Sequence, residues 1–139
     1  MKPDISIVVP VYNEESNLPY LFERLSQMFS QTDIAFEVVM VNDGSSDNSL
    51  KLMREFAAKD SRFKYVSFSR NFGHQPAFFA GMEHTLGAHI AFIDADLQDP
   101  PELLLEMFSR LQQGYDVVYA VRRNRQGVSV FKKIAYSTF

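Results

Sequence analysis

Residues 5–29 read ISIVVPVYNEESNLPYLFERLSQMF, and the way this stretch changes character decides the fold. Ile5–Val11 is dense in β-branched residues and reads as a buried strand. From Leu18 onward, Leu18, Leu21, Phe22, Leu25, Met28 and Phe29 recur at helical spacing. Ser16 or Asn17 is placed to cap that helix, and Pro19 is tolerated in its first turn. One strand, one polar loop and one helix follow each other without waste.

The same unit then repeats down the chain. Phe36–Val41 (FEVVMV) predicts a second strand, and Leu50, Met53, Phe56 and Ala57 predict a second helix opened by GSSDNS. Phe63–Phe68 predicts a third strand, followed by the loop SRNFGHQ and a helix over Gln75–Leu86 that Gly87 ends. His89–Ile93, a helix over Pro101–Gln112 and a strand over Asp116–Val121 complete the pattern. Strands alternating with helices imply right-handed βαβ units, hence an α/β fold with a mostly parallel sheet. Residues 1–139 read as a single domain, a length that buries a real core.

Ligands of open α/β sheets bind outside the carboxyl ends of the strands. The polar clusters fall at those ends: YNEES, NDGSSD, SRNFGHQ, DADLQD and RRNR, one after each strand. Five clusters converging on one edge describe one site.

Composition narrows what that site does. The chain is 46% hydrophobic and 22% charged, which suits a folded globule rather than a disordered one. With no cysteine, it has no disulfide, zinc-thiolate or catalytic thiol chemistry. The start, MKPDISIVVPVY, lacks a signal-peptide pattern, and no apolar run reaches the roughly 18–20 residues that cross a bilayer. Residues 1–116 hold 9 Lys/Arg and 17 Asp/Glu, a net −8, whereas residues 117–139 hold five basic residues and no acid. The acidic body argues against nucleic acid, and the basic end suits an anionic ligand or a membrane surface, or equally a plain solvated tail. G-x-G-x-x-G and the Walker lysine motif are absent, which excludes the usual NAD and P-loop sites. A G-x-S-x-G nucleophile elbow is absent too.

DADLQD carries the most chemistry. In an extended chain Asp94, Asp96 and Gln98 face one side, and their oxygens form part of a hard-cation shell suited to Mg²⁺ or Mn²⁺. A calcium EF-hand also begins D-x-D, but its sixth position needs Gly and is Asp99, and its twelfth needs Glu and is Leu105. Asp99 and the two prolines serve equally to start the next helix. Asp43 suits a ribose or base hydrogen bond, although Asp-Gly is also an ordinary turn. Tyr12 suits stacking on a base and Glu14 a sugar hydroxyl, against the plain alternatives of a surface Tyr and a helix-start acid. Arg122, Arg123 and Arg125 have guanidinium forks that match phosphate. Arg70, His74 and Gln75 share the same row of loops.

VVPVYNEE, VNDGSSDNS, SRNFGHQPAFFAGMEHTLG, IDADLQDPPE and DVVYAVRRNR, in this order, resemble family 2 glycosyltransferases of the GT-A fold. Within them the likeness is to the dolichyl- and polyprenyl-phosphate sugar transferases, and it spans essentially the whole chain. The resemblance implies a Rossmann-like nucleotide-sugar fold. It implies that Pro10, Tyr12 and Glu14 contact the nucleotide, and Val41 and Asp43 its base. Asp94 and Ala95 would line the nucleotide-sugar pocket, Asp96 and Gln98 would hold Mg²⁺ or Mn²⁺ on the diphosphate, and Arg122 would bind a phosphate. Asp96 and Arg122 are thus the expected catalytic residues.

The expected reaction is inverting transfer of a hexose from a nucleotide sugar of the UDP-glucose or GDP-mannose type to a polyprenyl phosphate. A phosphate acceptor is ionised near pH 7 and needs no general base, whereas a sugar hydroxyl needs a carboxylate. Two other readings stay open: a glycan or polysaccharide glycosyltransferase, and a non-catalytic nucleotide-sugar-binding module. Family members run well past residue 139 with acceptor-side and membrane elements. The resemblance therefore implies a longer protein at the cytoplasmic face of a membrane, and leaves homo-oligomerisation open.

Overall fold

The computed structural model describes residues 1–121 and the backbone of 132–136, and in it the opening strand lies inside a sheet. β1 (Ile5–Val11) is buried at all seven positions, as is β2 (Phe36–Asn42). The two run parallel, from Ile5 opposite Phe36 to Val11 opposite Asn42. β3 (Phe63–Ser67) lies parallel on the outer side of β2, and β4 (His89–Phe92) parallel on the free side of β1. The order β3-β2-β1-β4 reverses direction at β1, so a crevice opens between the ends of β1 and β4.

Residues opposite each other share a face. On one face, Val9, Val38 and Met40 meet Leu18, Leu21 and Leu25 of α1 (Leu18–Ser30) and Phe56 of α2 (Ser49–Lys59). Phe22 of α1 stacks on Phe56, their ring centres 4.3 Å apart, and also touches Phe63 of β3. On the other face lies α3 (His74–Glu83), and its Gly81 rests on β1 and β2. A Cβ at Gly81 would stand 2.3 Å from Val8 Cγ1 and 3.2 Å from Val41 Cγ2, so the helix needs a residue without one to lie this close.

Several expected boundaries shift. α3 begins at His74 rather than Gln75 and ends at Glu83 rather than Leu86. Asn17 does occupy the cap position of α1, but its side chain donates to Glu14 Oε2 at 2.8 Å instead of capping. Beyond α3, a buried carboxylate that alternation in FEVVMV gives no reason to expect organises the chain. Glu37 accepts hydrogen bonds from Ser6 Oγ, from the Leu86 N–H and from Lys64 Nζ. Gly87 N–H donates to Ser6 Oγ at 2.8 Å, so the return from α3 to β4 is tied to the sheet.

Met1–Pro101 forms one compact unit and Glu102–Phe139 a second. The second contains α4 (Leu103–Gln112), β5 (Val117–Val121) and β6 (Lys132–Tyr136). β5 is the expected fifth strand, yet it pairs antiparallel with β6 in a separate two-stranded sheet. No strand was expected over 132–136, because KKIAY is short and shows neither clean alternation nor a helical period. Among the described residues no helix is long and apolar enough to cross a membrane.

Candidate functional site

The loops after β1 and β2 clasp each other. Asn13 sits in the left-handed region at φ 53°, with its N–H donating to Ser45 Oγ at 3.0 Å and its Oδ1 accepting the Ser46 N–H at 2.8 Å. Glu14 N–H donates to Ser49 Oγ at 2.8 Å. Glu15 N–H donates to Asp47 Oδ2, and Asn48 N–H returns a bond to Glu15 Oε2. Burial pushes the Asp47 carboxyl up, but the Ser49 hydroxyl and N–H, with the Glu15 N–H, outweigh it and hold the group below its ordinary value. Most of GSSDNS is therefore scaffolding that fixes YNEES at the end of β1.

A third loop is held the same way. Asp43, buried at 4% exposure, accepts the Phe72 N–H at Oδ1 (2.7 Å) and the Gly73 N–H at Oδ1 and Oδ2 (3.3 and 3.2 Å). Arg70 lays its guanidinium 4.4 Å from the centre of the Phe72 ring.

These loops enclose a cleft of ≈ 400 Å³ at the carboxyl ends of β1, β2 and β4. Pro10, Val11, Tyr12 and Glu14 line it from the first loop and Asp43 from the second. Asn71, Gly73 and His74 line it from the third, and Asp94, Ala95 and Asp96 from the fourth. Of the residues expected at the site, Pro10, Tyr12, Glu14, Asp43, Asp94, Ala95 and Asp96 are brought together here. Tyr12 is half exposed, which leaves its ring available. Ala95 is buried and backs the wall.

Three expected positions stand apart. Val41 is fully buried, with its Cγ2 beneath Gly81, so the base contact expected of it is not available to its side chain. Gln98 follows a turn rather than an extension. Leu97 adopts φ 60° and Asp96 Oδ1 accepts the Gln98 N–H at 3.0 Å, so strand alternation does not aim Gln98 at the two acids, and it lies outside the cleft lining. Arg122, with Arg123 and Arg125, lies outside the described residues. Asn71 and Gly73 were not anticipated, although the polar loop after the third strand marked their neighbourhood.

Asp94 and Asp96 supply hard oxygen to one wall, and Asp94 Oδ1 also faces His74 Nε2 at 3.4 Å. The His74 ring is fixed edge-on against Phe78, and Phe78 against Phe92 of β4. No group of three or more His, Asp or Glu able to hold a metal occurs among the described residues. Two carboxylates fit Mg²⁺ or Mn²⁺ when phosphate oxygens and water complete the shell, which is the usual habit of Mg²⁺.

The chain is similar to proteins of one kind. It is 52% identical over 134 residues to the uncharacterized glycosyltransferase YkcC of Bacillus subtilis, covering 96% of this chain and 42% of that one. It is 42% identical over 132 residues to the undecaprenyl-phosphate 4-deoxy-4-formamido-L-arabinose transferase of Proteus mirabilis, covering 94% and 40%. The chain thus spans about two fifths of the length of these curated relatives. Its fold matches S. aureus TarS 1-349 in complex with UDP-GlcNAc at TM-score 0.70 and 25% identity, over 94% of this chain and 37% of that one. It also matches the mannosyltransferase PcManGT of Pyrobaculum calidifontis in complex with GDP-Man and Mn²⁺ at TM-score 0.69 and 23% identity, over 91% and 37%. The model of glycosyl transferase family 2 matches residues 6–138. A parallel sheet with its polar loops gathered at one crevice, and a family match over nearly every residue, lead to one assignment: the chain belongs to glycosyl transferase family 2 and has the GT-A fold.

Proposed function

We propose that this chain is the donor-binding part of an inverting, metal-dependent glycosyltransferase that moves a hexose from a nucleoside diphosphate to a polyprenyl phosphate. The observation that carries this reading is the meeting of Tyr12, Glu14, Asp43, Asp94 and Asp96 in one cleft at the crevice between β1 and β4. The Proteus mirabilis relative, whose name gives undecaprenyl phosphate as acceptor, supports the lipid phosphate.

The residues divide the donor among them. The half-exposed Tyr12 ring stacks on the base, with Pro10 beside it, while Glu14 and the remaining acceptor capacity of Asp43 bond the polar edges of base or ribose. Asp94 and Ala95 border the sugar and diphosphate. Asp96 with Asp94 would hold Mg²⁺ or Mn²⁺, and Gln98 would join them only if the turn at Leu97 opened; the metal would neutralise charge on the departing diphosphate. Arg122 adds a guanidinium to a phosphate. In the reaction the bond from the anomeric carbon to the diphosphate oxygen breaks, and an acceptor phosphate oxygen bonds to that carbon from the opposite face. The acceptor is already ionised, so no side chain has to remove a proton. A lipid-borne acceptor together with a nucleotide-sugar donor supports a site of action for the whole protein at the cytoplasmic face of a membrane.

Calorimetry with UDP-glucose and GDP-mannose, each with and without Mn²⁺, tests donor binding. Radiolabelled transfer to polyprenyl phosphate by the full-length protein tests the acceptor. Binding without transfer would point to a sensor module, and transfer to a glycan hydroxyl instead would replace the lipid.

A further inference from the structure

We infer that His74 is a positioning residue: its Nε2 sets the direction of the Asp94 carboxylate, so that this acid is already aimed when a divalent cation enters the cleft. This inference rests on the metal-dependent donor reading proposed above. It gives a task to a cleft residue that the donor reading leaves idle.

The two acids of the fourth loop are served differently. Asp96 Oδ1 accepts the Gln98 N–H of its own turn, whereas Asp94 Oδ1 faces His74 Nε2, 3.4 Å away on α3. The Asp94 side chain is 54% exposed, so packing does not decide where its oxygens point and a polar partner can. That partner is itself braced. The His74 ring stands edge-on to Phe78 with centres 4.4 Å apart, and Phe78 stands edge-on to Phe92 at 4.8 Å. Phe92 ends β4 just before Asp94, so the rings close a circuit from β4 through α3 and back. The main chain is fixed as well: His74 opens α3, and both oxygens of Asp43 accept the N–H of the preceding Gly73.

The chemistry suits such a role. An imidazole N–H donates to a carboxylate, and contacts of this kind are often long before a ligand binds and shorten afterwards. At 3.4 Å the pair needs only a small side-chain movement to reach hydrogen-bond length. An ionised carboxylate has lone pairs on both oxygens, so a bond at Oδ1 leaves Oδ2 for a cation. Hydrogen-bond partners that orient a metal-binding group contribute roughly ten- to a hundredfold to metal affinity. Phe78 lies outside the cleft lining, so a change there reaches a cation through the rings it holds.

Calorimetry on the full-length protein tests this. Mn²⁺ is titrated in saturating UDP or GDP, and each nucleotide is titrated without metal, for wild type, His74→Phe, His74→Gln and Phe78→Leu. His74→Phe keeps a ring against Phe78 but removes the N–H, and is expected to weaken Mn²⁺ by about tenfold. His74→Gln places an amide N–H at a similar reach and is expected to restore most of that affinity. Phe78→Leu is expected to weaken Mn²⁺ too, by less than His74→Phe. Affinity for the nucleotide without metal is expected to stay at the wild-type value in all three. Wild-type Mn²⁺ affinity in His74→Phe or in Phe78→Leu overturns the inference. So does a loss that His74→Gln leaves unrestored, or an equal loss of metal-free nucleotide, which would make His74 a direct ligand contact. The His74 side chain is 58% exposed, so its variants are expected to fold. Should Phe78→Leu fail to fold, the two His74 variants decide. If wild type binds neither nucleotide with Mn²⁺, the donor reading falls and takes this inference with it. A wild type that binds metal and nucleotide, with no response to His74→Phe, removes this inference alone.

Discussion

Lys64 Nζ on β3 stands 2.6 Å from Glu37 Oε2 on β2, and the two partners differ sharply in exposure, with side chains 43% and 3% accessible. The pair is thus a buried carboxylate served by a lysine that is partly exposed to water. Burial alone pushes the Glu37 carboxyl up. The hydrogen bonds from Lys64, Ser6 and the Leu86 N–H, with the Lys64 charge, outweigh it and hold the group below its ordinary 4.5.

A carboxyl whose folded value lies below its unfolded one contributes stability above about pH 4.5, and that contribution is lost as pH falls through the folded value. Glu37→Gln is expected to cost about 1–3 kcal/mol near pH 7, with the gap from wild type narrowing below pH 4.5. Lys64→Met removes the leading opposing contact and should move the acid transition to higher pH. Thermal unfolding of the three proteins across pH 3–7 (~4 units of scan) checks both. Parallel wild-type and Glu37→Gln curves would contradict the assignment.

Gly81 and Val8 form a second testable pair. Gly81→Ala forces a methyl against Val8 Cγ1 and is expected to destabilise by about 1–3 kcal/mol, despite alanine's better helix propensity. Val8→Ala opens space in the same place. The double variant should therefore be more stable than the summed single losses, as measured by urea denaturation.

Asn13 tests the clasp between the first two loops. Asn13→Gly keeps the left-handed backbone easy but loses the bond from the Ser46 N–H, and Asn13→Ala loses both advantages. The expected order of stability is wild type, then Gly, then Ala, in steps of about 1 kcal/mol. Equal stability of the three would mean that the loops are held elsewhere.

For the proposed chemistry, Asp96→Ala should abolish the Mn²⁺ dependence of nucleotide binding while leaving the melting temperature within a few degrees of wild type. Arg122→Ala should lower turnover by the full-length protein more than it lowers stability. Unchanged metal dependence in the first, or a wild-type rate in the second, removes that residue from the mechanism.

The strands and the direction of their ends were legible because β-branched runs such as ISIVVPV have no other comfortable place than a sheet interior. The polar clusters pointed to the cleft because an architecture of this kind sends every loop of one class to the same edge. What escaped has physical reasons. The bond between Asn13 and Ser46 joins loops 33 positions apart, and no periodicity encodes such a meeting. Glu37 is a lone acid in an otherwise apolar strand, and nothing in FEVVMV names its partners, because Lys64, Ser6 and Leu86 reach it from 27, 31 and 49 positions away. Alternation aimed Gln98 at the cleft, but Leu97 in the left-handed region broke the alternation first.

β4 joins β1 with Ile5 opposite His89, so the strand that leads into the loop bearing Asp94 and Asp96 meets its neighbour across more than half the chain. Closing so long a loop is slow, and little rewards it until the pairing is made. A chain still emerging during synthesis, or refolding from denaturant, therefore has three strands and their loops available before it has a cleft. On the proposed donor reading, nucleotide capture is therefore expected to act as a clock for the last pairing of the sheet, beginning only when β4 docks.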